Sequence, residues 1–156
     1  MKVFRIGFAL VLVGLFATLA GNSAFAQNAL THAERELFSS INQARMAQGL
    51  SPLRWDDSLA RAARRHAEVM AENGSAQHGF DGEPNLATRV KQAGARFTWL
   101  SENVTQGSTA SLVHAQFMKS PNHRANILDS DMDSIGIGIV ERNGQLFTVE
   151  DFSKAR

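Results

Sequence analysis

The run Ile135-Gly136-Ile137-Gly138-Ile139 constrains this chain more than any other segment. Its alternation has the period of a strand, with isoleucines on one face and no side chains at all on the other. A face that bare admits the close approach of another backbone or a helix. Asn143-Gly144 follows, the strongest two-residue hairpin turn, and Leu146 to Phe152 returns as a second strand. The C-terminal part is therefore an antiparallel hairpin whose glycine face needs a covering layer.

Helical patterns ahead of the hairpin supply that cover. Thr31-His32-Ala33-Glu34 is a T-x-x-E capping box, Leu37, Ile41 and Ala44 follow at helical spacing, and Gly49 stops the helix. Leu50 to Trp55 contains Pro52 and is read as a packed, extended connector. Asp56 or Asp57 caps the next helix, where Leu59, Ala62, Ala63, His66, Ala67 and Met70 form one stripe and Arg61, Arg64, Arg65, Glu68 and Glu72 lie off it. Asn73-Gly74 ends it, and a polar loop carrying His78 runs to Gly82.

Pro84 is placed in the first turn of a third helix, with Leu86, Ala87, Val90 and Ala93 inward and Gly94 as terminator. Glu102 to Thr105 reads as a short strand. Thr109 caps a fourth helix carrying Leu112, Val113 and Phe117. Ser120 caps a fifth, with Pro121 first in it and His123 in its first turn. Helices followed by a late hairpin give an α+β class with helices covering a small sheet.

At the front, Lys2 and Arg5 precede an apolar stretch from Ile6 to Ala20, and Ala24-Phe25-Ala26 is a small-x-small cleavage pattern. An apolar run of about 15 residues falls short of the ~20 that span a bilayer, so residues 1–26 are expected to be a cleaved signal peptide and 27–156 a single domain. Export to a periplasm or the extracellular medium follows, with no membrane span after cleavage. Losing Lys2 and Arg5 takes the net charge from +1 to −1, which removes any case for nucleic acid. There is no cysteine, hence neither a disulfide nor a thiol nucleophile. A domain of this size holds together by core burial alone, and a monomer is expected.

The sequence has no G-x-S-x-G elbow, no phosphate-binding glycine loop and no H-E-x-x-H. Of the five histidines, His66 lies in the apolar stripe and reads as a core residue with one satisfied ring nitrogen, while His32 and His114 read as helix surface. His78 and His123 lie outside amphipathic stripes. A histidine in the first turn of a helix faces the positive end of the dipole, which keeps a nitrogen lone pair available. Two histidines and one carboxylate can hold Zn²⁺ with an open position, but 45 residues between His78 and His123 is no local metal signature.

The order of motifs resembles a known family. Ile41-Asn42-Gln43-Ala44-Arg45, Gly49 to Asp56, His66-Ala67, His78 to Gly82, Glu102-Asn103-Val104, Ser120 to Leu128 and Ile135 to Gly138 are similar, in that order, to a bacterial SCP domain of the CAP superfamily (cysteine-rich secretory protein, antigen 5, pathogenesis-related 1). The likeness covers about residues 35 to 153 and implies an α-β-α sandwich with a small antiparallel sheet between helical layers.

It also implies a binding cleft of His78, Glu102 and His123, with His78 and His123 as ligands of zinc or another divalent metal and Glu102 as the catalytic base or orienter of a metal-bound water. The second glutamate of animal and plant members falls at about Ser120 and is missing, so metal affinity is expected to be weak. Glu83 is a candidate substitute. Two functions compete: a binding module for a small apolar ligand such as a lipid or sterol, a cell-wall component or a protein, and a weak metal-assisted hydrolase or peptidase. A third reading makes the three residues a buried hydrogen-bond network that pins loops to the sheet. Binding is the favoured one.

Overall fold

The computed structural model describes residues 30–155, so the expected signal peptide lies outside the described residues. Among the described residues five helices, α1 (His32–Ala47), α2 (Asp57–Asn73), α3 (Leu86–Gln92), α4 (Ala110–Lys119) and α5 (Pro121–Ile127), are interspersed with four strands. The strands are β1 (Arg54–Trp55), β2 (Phe97–Gly107), β3 (Ser134–Arg142) and β4 (Gln145–Ala155), in the order β1-β3-β4-β2. The β2–β4 and β3–β4 pairs are antiparallel. The two-residue β1 joins β3 in parallel, which makes the sheet mixed rather than purely antiparallel.

The glycine face of β3 is where α2 lies. A Cβ built on Gly136 would stand 2.0 Å from the Ala60 backbone nitrogen, and one on Gly138 would stand 2.2 Å from that of Arg64. Helix and strand backbones touch there, and only glycine permits it. On the opposite face Ile135 and Ile137 join Leu37, Ile41, Val113, Phe117, Ile127 and Phe152 in the main core. Helices α1, α4 and α5 cover that side. Helix α2, with α3 beside it, covers the other, burying Ala63, Ala67 and Met70 against Val104, Phe147 and Val149. The architecture is the α-β-α sandwich expected.

Local chemistry explains most boundaries. Thr31 and Glu34 form the reciprocal capping box of α1, Asp56 accepts from Ser58 and Leu59 at the start of α2, and Thr109 caps α4. Asn143 and Gly144 both have positive φ (54° and 72°), as the tight hairpin requires.

Several expectations change. Helix α3 begins at Leu86 with Asn85 as its cap, the Asn85 side chain accepting from the Thr88 N–H, so Pro84 stands before the helix rather than in its first turn. Strand β2 runs for 11 residues rather than four. Leu112 faces solvent. The fourth inward residue of α1 is Arg45 rather than Ala44. Arg45 is buried because its guanidinium donates to the carbonyls of Ser51, Ile127, Asp129 and Met132, tying two loops to α1.

Candidate functional site

Strand β2 lies at the edge of the sheet, and its alternation sends Glu102 and Asn103 to opposite faces. Glu102 points to the α2 side. Its register partner on β4 is Asp151, so two buried carboxyl groups face one another. Asn103 points to the α5 side, opposite Glu150.

Glu102 is held from two directions. His78 Nδ1 is 2.9 Å from Oε1, and the Arg89 guanidinium donates to Oε2. Arg89, buried itself, also donates to the carbonyls of His78 and Pro84 and stands 3.7 Å from Glu83 Oε1. This one arginine therefore ties α3, the 78–84 loop and β2 together. The Glu102 side chain is 4% exposed and that of His78 62%, so the pair joins a buried anion to a ring open to solvent.

His123 reaches the site from α5. Its ring meets Phe117 edge to face at 5.2 Å, and its backbone carbonyl accepts from the Asn103 side chain at 3.0 Å. Asn126, one helical turn on, donates to Asn103 Oδ1 at 2.8 Å and to the Glu102 carbonyl. Two asparagines thus fix the position of α5 on the edge strand.

The electrostatics separate the two imidazoles. The hydrogen bond to Glu102 raises the pKa of His78 above 6.5, against the lowering by burial. Burial, with the nearby charge of His78, lowers that of His123 below 6.5. Over the interval between them the rim carries a cationic ring and a neutral one with an accepting nitrogen. Behind them, burial and then the Glu102 charge push Asp151 well above the usual carboxylate range. Burial takes Glu150 up to about 8, with Asn103 opposing.

The structure brings His78 and Glu102 into direct contact and seats His123 within electrostatic reach of His78. Glu83 does not enter the cleft as a substitute for the missing glutamate. It turns under the loop to His66, whose Nδ1 lies 2.7 Å from Glu83 Oε1 and whose Nε2 lies 2.9 Å from the Gln77 carbonyl oxygen. Both ring nitrogens of His66 are therefore engaged, rather than one. Among the described residues no three His, Cys, Asp or Glu side chains group to hold a metal ion. A metal at the rim would have the imidazoles of His78 and His123 as its protein ligands.

Sequence reasoning assigns no role to Arg89, Asn103, Asn126 or Asp151. The signal for Asp151 is visible in retrospect, because Glu150-Asp151 interrupts an otherwise apolar strand between Val149 and Phe152.

An α-β-α sandwich whose edge strand carries a buried glutamate paired with a loop histidine is the architecture of an SCP-type domain. The cysteine-rich secretory protein family (CAP) matches residues 38–152, and the chain belongs to that family. It is 30% identical over 122 residues to the uncharacterized protein YkwD of Bacillus subtilis (strain 168), an alignment covering 78% of this chain and 47% of YkwD. Its fold is similar to that of an outer surface protein from Borrelia burgdorferi, with TM-score 0.73, 24% identity and coverage of 80% of this chain and 93% of that one. It is also similar to an extracellular SCP-domain protein from Bacillus anthracis, with TM-score 0.72, 22% identity and coverage of 81% and 44%. The chain spans less than half the length of YkwD and of the Bacillus anthracis protein.

Proposed function

We propose that this CAP domain is an exported binding module whose edge cleft, walled by His78, Glu102 and His123, takes a small apolar ligand, a cell-wall component or a segment of another protein. The observation that carries the reading is the state of Glu102. Both of its oxygens are engaged by His78 and Arg89, and a second carboxyl group stands behind it. A general base has to reach the proton it removes, whereas a carboxylate locked between two cations gives a fixed, preorganised wall. Ligands recognised on such a wall meet an exposed imidazole donor on one side and a half-buried imidazole acceptor on the other.

Export is supported by the N-terminal pattern of Lys2, Arg5 and Ala24-Phe25-Ala26, and by the printed descriptions of two fold neighbours as outer-surface and extracellular proteins. Among the described residues no helix is long and apolar enough to cross a membrane. With two imidazoles as its protein ligands, Zn²⁺ binds weakly in this reading, and loss of the metal leaves ligand binding in place.

Two assays on the protein lacking residues 1–26 test the proposal. Mass spectrometry of an organic extract is expected to show co-purifying ligand in the wild type and less in His123→Ala. Labelled casein and peptidoglycan, incubated with protein preloaded with Zn²⁺, are expected to stay intact. Cleavage by the wild type and not by Glu102→Gln overturns the binding reading in favour of the hydrolase.

A further inference from the structure

The cleft is not the only feature suited to a ligand. Trp99 on β2 is 63% exposed, an unusual position for the largest apolar side chain. It lines a concavity of about 470 Å³ together with Thr98, Asp129, Asp131 and Lys154, within the size range of small-molecule sites. Trp99 is the one large apolar side chain in that lining, and charged groups make up most of the rest.

This mixture selects a ligand chemistry. A lipid tail or an apolar protein surface needs a contiguous apolar patch, and a single ring surrounded by two carboxylates and an ammonium group does not supply one. A pyranose ring fits better. It has an apolar C–H face that stacks on an indole and a rim of hydroxyls that donate to carboxylates and accept from a lysine.

The loop that carries the two aspartates is also anchored before any ligand arrives. The Asp129 carbonyl accepts from buried Arg45 at 2.9 Å, which fixes the loop from below, and Asp129 Oδ1 accepts from the Asp131 amide at 2.8 Å. Lys154 Nζ lies 3.1 Å from Asp131 Oδ1, and the Thr98 hydroxyl donates to the Lys154 carbonyl. Recognition of sugar hydroxyls costs less when their partners are already ordered.

We infer that Trp99, Asp129, Asp131 and Lys154 form a glycan subsite, separate from the histidine cleft, that stacks one pyranose ring on the Trp99 indole. The inference rests on reading the domain as a binding module and adds a second site to it. Because Trp99 and His123 belong to different sites, the two readings fail separately.

The test uses N-acetylglucosamine hexamer and cellohexaose as probes. The chain has two tryptophans, so a Trp55→Phe background isolates the Trp99 fluorescence. At least one probe is expected to shift that emission saturably, with Kd of about 0.1–1 mM. Amide NMR shifts at residues 98–99 and 129–131 are expected to move in the wild type and stay still in Trp99→Ala. A double Asp129→Asn, Asp131→Asn variant weakens binding at least about fivefold, while His78→Ala and His123→Ala bind the sugar as the wild type does. No saturable response to either sugar overturns the inference. So does sugar binding that survives Trp99→Ala, or a Trp99 response to decanoate alone.

Discussion

The Nδ1 atom of His78 lies 2.9 Å from Oε1 of Glu102, so a largely exposed imidazole is tied to a carboxylate that is almost wholly buried. That contact holds the pKa of His78 above 6.5. A histidine with a raised folded-state pKa adds stability that is fully present below the unfolded value of 6.5 and is lost as pH rises through the folded value. NMR titration of the ring should therefore place the His78 midpoint above 6.5 and that of His123 below it. In Glu102→Gln the His78 midpoint falls. The same substitution strips Arg89 of its closest anion, and breaking a buried pair costs about 3–5 kcal/mol, read as a lower urea midpoint. A His78 midpoint unmoved by Glu102→Gln would contradict the contact.

Gly136→Ala and Gly138→Ala test the seat of α2 on β3. The added methyl would stand 2.0 Å and 2.2 Å from backbone nitrogens, which cannot rotate away as a side chain can. Each is expected to cost about 3 kcal/mol or more, at the upper end of overpacking effects. Gly79→Ala is the matched control beside His78, where nothing lies within 4 Å, and a change within about 0.5 kcal/mol is expected. Denaturant unfolding distinguishes them.

Glu150 adds to the pH dependence in the same direction as His78, beginning at lower pH. It is fully buried, its Oε2 accepts from Asn103, and its pKa is pushed up to about 8 from 4.5. The unfolded chain ionises this group first, so its contribution to stability is present below 4.5 and lost as pH rises toward 8. Glu150→Gln removes the titration. Its melting temperature should vary less than that of the wild type between pH 5 and 8, with a relative gain on the order of 3 kcal/mol at neutral pH. An identical slope in both proteins would show that Glu150 titrates in its ordinary range.

Much of the fold is legible in the chain because its signals are local. The capping box at Thr31-Glu34, the stripe from Leu59 to Met70, the Asn143-Gly144 turn and the bare face of Gly136 and Gly138 each follow from neighbours a few residues apart. Strand β2 reads too short because its ends have no local pattern: Thr98 and Trp99 are both exposed, and it is the pairing with β4 that makes residues 97–101 and 106–107 strand. Arg45 and Arg89 escape a sequence reading for the same reason. A long cation reads as surface in sequence, while here one gathers four carbonyls and the other a distant glutamate. The candidate site depends on family resemblance, since nothing in the spacing of His78, Glu102 and His123 joins a loop, an edge strand and a short helix. The hydrogen bonds of Asn103 and Asn126 join the strand to the helix, and the contacts of Glu102 and Arg89 with His78 join the loop to the strand.

The binding proposal stands or falls on whether the rim of His78 and His123 receives a ligand. Ring NMR signals of both histidines decide this, followed while the protein lacking residues 1–26 is titrated with palmitate, a soluble sterol ester and a cell-wall stem peptide. One of these probes is expected to shift both rings saturably, and His123→Ala to weaken that binding at least about tenfold, or 1.4 kcal/mol, at an unchanged melting temperature. Rings that no probe moves, or affinity equal in wild type and His123→Ala, would contradict it.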